Sequence, residues 1–171
     1  MNDLDDQLRE LMPRLRRFAL SLTRDASSAD DLVQACLERA LNHWRSKRPD
    51  GDLRAWLFAI LYRQFIDGRR SARRYQRMLE FFTGRSDEAD LAPTLERGIM
   101  AESTLDAFNR LNNEQRALLF AVSVEGLSYK EVAQVLNVPI GTVMSRLSRA
   151  RQALRLLSEG DIISPSLRIL K

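Results

Sequence analysis

Arg146 and Arg149, with Thr142 and Ser145 beside them, are the residues of this chain best suited to reading the hydrogen-bond pattern of another molecule. Guanidinium forks and hydroxyls donate to phosphate oxygens and to base edges, and an arginine pairs bidentately with guanine in a major groove. Positions three and four apart share one side of a helix, so this set makes a single face. Val143, Leu147, Ala150 and Leu154 recur at the same steps and make the opposite, apolar face. No acidic residue falls between Gly141 and Arg155. A helix kept merely soluble alternates its charges, whereas Arg146, Arg149, Arg151 and Arg155 repel one another unless a polyanion is near. The plain alternative is a helical hairpin with a solvated basic face.

Such a face needs an element to hold it. Ser128 and Glu131 have the spacing of a capping box, which starts a helix. Val132, Ala133, Val135 and Leu136 give that helix an apolar stripe, and Asn137-Val138-Pro139 ends it, since Asn suits turns and the residue before Pro avoids the helical basin. The second helix starts at about Ile140. Two short helices joined by a tight turn, the second basic, fit a helix-turn-helix with its recognition helix in a major groove.

Composition narrows the remaining chemistry. The chain has 171 residues, room for one domain or two small ones, and a formal net charge of +4. Cys36 and His43 are the only residues of their kinds, so neither a disulfide framework nor a Cys/His metal centre is available. No nucleophile stands beside a base, and there is no phosphate-cradling glycine loop and no carboxylate cluster with ligand spacing. No catalytic residue, metal or cofactor is expected, and the protein reads as a non-enzyme. The N-terminus, MNDLDDQLRELMPRLRR, has neither the apolar run of a signal peptide nor that of a membrane span, so a cytoplasmic protein without membrane insertion is expected.

In chain order, Leu8, Leu11, Leu15, Phe18, Ala19 and Leu22 predict a helix through Thr23, with Pro13 dividing a lead-in from the main part and Arg14, Arg16, Arg17 and Arg24 facing away. Ser27 and Ser28 ahead of Asp30 and Asp31 predict the cap of a second helix, buried through Leu32, Val33, Cys36, Leu37, Ala40 and Leu41. Trp44–Asp52 reads as a turn-rich loop. A third helix from about Leu53 carries Arg54, Arg63, Arg69, Arg70, Arg73, Arg74 and Arg77 interleaved with Trp56, Phe58, Tyr62, Phe65 and Tyr75. Arginines hold phosphates while aromatic faces stack unpaired bases, a combination suited to single-stranded or melted DNA; a core of aromatics under a solvated face is the alternative. The stretch from Leu79 to Met100 is acidic and rich in Gly and Pro, as a flexible linker would be, with Phe81 and Phe82 free to dock on either domain or on a partner. Helices from about Glu102 to Leu111 and from Asn113 to Val124, capped by Asn112 and stopped by Gly126, complete the second unit. The fold expected is all-α: two small helical domains, residues 1–80 and 102–158, joined by a flexible acidic linker at 81–101 and followed by a tail at 159–171.

Three stretches in this order, LRRFALSLTRDASSADDLVQACLERAL, PDGDLRAWLFAILYRQFIDGRRS and LNNEQRALLFAVSVEGLSYKEVAQVLNVPIGTVMSRLSRARQAL, resemble an alternative bacterial sigma factor of the extracytoplasmic-function type over nearly the whole chain. DGDLRAWLFAIL is similar to the members that run general stress responses. The resemblance implies that the first domain binds the clamp helices of the polymerase beta-prime subunit and opens the minus-10 element. The second would meet the flap of the beta subunit and read the minus-35 element, and an anti-sigma factor is implied as a further partner. By motif match Asp30, Asp31, Leu32, Val33, Gln34, Glu38 and Arg39 fall on the polymerase-binding helix. Arg48 and Asp50 lie in the loop that captures a flipped base, and Trp56, Tyr62, Arg63, Asp67 and Arg70 on or beside the helix that contacts the non-template strand. Thr142, Ser145, Arg146 and Arg149 fall on the minus-35 face. Gln34-Ala35-Cys36-Leu37 departs from the usual Gln-Glu-Thr-Phe run, and Arg63 stands where Asn is common, which bears on the minus-10 sequence because Arg favours guanine or phosphate and Asn favours adenine. Two rivals share parts of the pattern: a conventional helix-turn-helix regulator, which would need a dimer to match a two-fold operator, and a sigma mimic that occupies an anti-sigma factor.

Overall fold

Apolar side chains at helical steps decide where each element of this chain turns inward. The computed structural model describes residues 3–84 and 104–163. Helix α1 (Asp3–Thr23) buries Leu15, Phe18, Ala19 and Leu22, and α2 (Ala26–Asn42) buries Ala29, Val33, Cys36 and Ala40. After a 3₁₀ turn at Trp44–Ser46, α3 (Leu53–Thr83) buries Leu53, Ala55, Leu57, Phe58, Leu61, Tyr62 and Phe65 in its first half. These three helices pack on one another as the first domain. The second contains α4 (Thr104–Asn109), α5 (Asn113–Leu119) widening into a π turn at Phe120–Val124, α6 (Tyr129–Leu136) and α7 (Ile140–Ile163). No strand occurs among the described residues.

Several local expectations are corrected. Pro13 does not divide α1, which is one helix from Asp3 to Thr23. Leu4, Leu8 and Leu11 pack against the same core as the later residues, while Pro13 and Arg9, whose carbonyl loses its partner, are exposed. The cap of α2 is Asp25, ahead of the serines: its carboxylate accepts from the Ser28 amide at 2.8 Å, and this bond holds its pKa below the ordinary value. Leu41, expected inward, is exposed. Helices α3 and α7 continue through Thr83 and Ile163, past the expected boundaries at 80 and 158. Phe81 and Phe82 therefore extend α3, both exposed and edge-to-face with each other, on neither domain. Residues 85–101 of the expected linker lie outside the described residues.

The two domains are packed together. One apolar core runs from Leu15 through Ala150, with Phe18 stacked on Phe58 at 4.7 Å and tilted against Phe120 of the second domain at 5.8 Å. Helix α3 lies against α6, and α1 against α5. Arg116, 1 % exposed, donates across this seam to the carbonyls of Ser21 at 2.9 Å and Leu22 at 3.4 Å, and within its own domain to the Leu111 carbonyl and Asn113. Those carbonyls end α1, where helical partners run out.

Candidate nucleic-acid and polymerase interface

The helix-turn-helix forms through the local signals that announced it. Ser128 Oγ accepts from the Glu131 amide at 3.2 Å, and Glu131 Oε2 accepts from the Ser128 amide at 2.7 Å. Asn137 ends α6 in the left-handed region at φ 54°, which Asn tolerates better than most residues. The Pro139 carbonyl then accepts from the amides of Thr142 and Val143, so α7 starts without a side-chain cap. Gly126, at φ 66°, makes the preceding turn in a conformation that favours glycine.

On α7, Val143, Leu147 and Ala150 are buried and Leu154 is half-buried. Ser145 and Arg149 are exposed, Thr142 and Arg146 partly so. Arg149 has no ion-pair partner among the described residues, whereas Arg146 pairs with Glu114 of α5 at 2.7 Å. The absence of acids within α7 thus concealed an acid supplied by a neighbouring helix. Ile140 and Met144 are half exposed beside this face, which the polar pattern alone did not single out; apolar groups there meet thymine methyls. Their signal was the failure of two apolar residues to fit the buried stripe.

In the first domain Arg48, Asp50, Arg63, Asp67 and Arg70 are exposed. Trp56 is half-buried, edge-on to Trp44 at 5.8 Å, and Lys47 lies 6.0 Å from the Trp44 ring. Tyr62 departs from this pattern. It is 8 % exposed, and burial pushes its phenol up to about 12, with Glu114 acting in the same direction and Arg146 against it. The side chain expected to meet a base therefore sits within electrostatic reach of the recognition helix. Phe65 is buried under Arg69, whose guanidinium lies 5.8 Å from the ring; burial and the nearby Arg73 and Arg24 lower the Arg69 pKa.

On α2, Asp30, Asp31, Gln34, Glu38 and Arg39 are exposed, Leu32 is half-buried and Val33 belongs to the core. Asp30 is held by Arg16 at 2.6 Å, and Gln34 donates to Glu38 at 3.1 Å. Cys36 is buried, its thiol pushed up to about 12 by burial and donating to the Leu57 carbonyl at 3.4 Å. No cluster with metal-ligand chemistry occurs among the described residues, and no described helix is long and apolar enough to cross a membrane.

The chain thus sets a helix-turn-helix against a three-helix domain with basic and acidic outer faces, the arrangement of a helical DNA-binding protein. The comparisons with known proteins make the class specific. Residues 8–62 match the sigma2 domain of PhyR, and residues 101–154 match sigma-70 region 4. The chain is 34% identical over 164 residues to the ECF RNA polymerase sigma factor EcfG of Rhodopseudomonas palustris, across 91% of this chain and 85% of that one. It is 36% identical over 155 residues to the ECF RNA polymerase sigma factor SigL of Mycobacterium tuberculosis, across 83% and 81%. The sigma factor RpoE of Bartonella quintana, solved in complex with the anti-sigma factor NepR, matches with a TM-score of 0.71 and 30% identity over 100% of both chains. The chain belongs to the ECF RNA polymerase sigma factors and is an alternative sigma factor that directs transcription initiation.

Proposed function

We propose that α7 reads the minus-35 element through Thr142, Ser145, Arg146 and Arg149, and that the first domain opens the minus-10 element. The observation that carries the reading is the exposed guanidinium of Arg149, without an ion-pair partner among the described residues and set by the helix-turn-helix on the open face of α7. Arg48 and Asp50 would receive an unstacked base, and Trp56 with Tyr62 would flank the melted strand. Arg63 and Arg70 would hold its phosphates or guanine edges, with Asp67 beside them. The exposed carboxylates Asp30, Asp31 and Glu38, with Leu32, Gln34 and Arg39, would meet the clamp helices of the polymerase beta-prime subunit, while the second domain meets the beta flap. The two domains are taken as residues 1–80 and 102–158.

The protein is proposed to act in the cytoplasm, in a general stress response, under an anti-sigma factor of the NepR kind; the match to a sigma factor solved with NepR supports that partner. Footprinting of promoter DNA by core polymerase with this protein tests the two-element reading. Protection at both elements that requires both components is expected; protection at the minus-35 element by this protein alone, with no effect of polymerase, would contradict it.

A further inference from the structure

Glu125 closes the π turn after α5 with a carboxylate that has no solvent exposure. Its Oε2 accepts from Arg14 Nε at 2.7 Å, and its Oε1 faces Arg17 Nη2 at 3.4 Å. Its carbonyl oxygen accepts from Arg14 Nη2 at 3.2 Å and from Arg54 Nη1 at 3.1 Å, while Arg54 Nη2 reaches Glu131 at 3.7 Å. Among the described residues every partner of the Glu125 side chain belongs to the first domain. A carboxylate shut away from water is costly unless paired, and loss of one partner is penalised more than the pair gains. If the domains part, Glu125 and its arginines return to water and need no partner. The charge is thus tolerated in two arrangements, closed and paired or open and hydrated.

The closed arrangement cannot serve both promoter elements. Elements named for positions about 25 base pairs apart lie ~85 Å apart along a duplex at ~3.4 Å per pair. Helix α3, the longest described, spans only ~46 Å at ~1.5 Å per residue, and it packs directly on α6 of the helix-turn-helix. The seam also holds a counterforce. Arg24 donates across it to the Asn109 carbonyl at 2.6 Å, within electrostatic reach of Arg69 and Arg116, so like charges oppose closure where Glu125 favours it.

We infer that Glu125 is an inter-domain latch: with its carboxylate paired to Arg14 and Arg17 and its carbonyl bound by Arg14 and Arg54, it holds the free chain closed, with α3 against the helix-turn-helix, and its release precedes promoter reading. The consequence for transcription rests on the reading above, whereas the latch is a property of the free chain. Electron–electron resonance between nitroxides at Asp6→Cys and Gln152→Cys, exposed positions on α1 and α7, reads the inter-domain distance in the full chain with Cys36 left buried. A single narrow distribution is expected with Glu125 present, and a longer, broader one in Glu125→Gln. Glu125→Gln should also bind a pool of random-sequence duplex DNA about tenfold tighter, because apparent affinity follows the competent fraction. Arg14→Gln with Arg17→Gln, the first partly buried at the seam and the second exposed, should open the chain equally, and these decide the matter if circular dichroism shows that the Glu125 variant does not fold. Unchanged distances in the folded variants overturn the latch whatever the transcription assay returns. A latched chain that supports no transcription with core polymerase overturns the sigma reading and leaves the latch in place.

Discussion

Two arginines one turn apart on α7 have different surroundings: Arg146 is paired with Glu114, and Arg149 is exposed without a partner among the described residues. A free guanidinium meets a base edge without first surrendering an ion pair, so Arg149 should carry more of the discrimination. Arg149→Ala is expected to lose about 1 to 3 kcal/mol of preference for the matched minus-35 sequence, with core polymerase affinity retained. Competition between matched and substituted promoters for the assembled polymerase measures this, and an unchanged preference would remove Arg149 from the reading face. The face itself was legible because Val143, Leu147 and Ala150 mark the buried side by spacing alone. The Arg146 partner was not, because Glu114 lies 32 residues away and only the fold brings it near.

At the scale of elements, α2 is an outward-facing helix whose carboxylates serve no core. Asp31→Lys should leave thermal unfolding nearly unchanged, since an exposed substitution away from a cap or pair usually shifts stability little. Affinity for core polymerase should fall severalfold. Equal affinity in a titration, with the variant folded, would take this face out of the interface. Elements with strong local signals were read correctly from sequence: the capping box at Ser128, the Asn112 cap and the Asn137 stop, while the return bond from Gln115 to Asn112 was not foreseen. Where a local rule failed, packing had overridden it or a nearer residue competed. Leu8 and Leu11 hold α1 through Pro13, and Asp25 caps α2 ahead of two serines that looked equally suitable.

The arrangement of the whole molecule was the least legible feature. Acidic, glycine-bearing sequence between two basic domains predicts a flexible linker and says nothing of the packing by which Phe18, Phe58, Phe120 and Arg116 join the domains through one core. Nothing local marks Glu125 as the partner of Arg14, 111 residues away. Burial of Tyr62 also sets a pH dependence. Packing keeps the Tyr62 phenol neutral, with its pKa raised from the ordinary 10.0 to about 12. A group whose pKa is higher in the closed state contributes to closure fully below the ordinary value, and that contribution is lost as pH rises through the raised one. Ultraviolet titration should show a tyrosine ionising near 12, and Glu125→Gln should move that ionisation down toward 10.0. An unmoved ionisation in a folded variant would mean that Tyr62 is buried within the first domain alone.

Run-off transcription from fragments of the source genome, with purified core polymerase and this protein together and separately, tests whether the protein directs initiation. Specific transcripts only when both are present are predicted, with minus-10 and minus-35 elements shared among their start sites. No transcripts from the combination, with the protein binding duplex DNA alone as a dimer, would contradict the account.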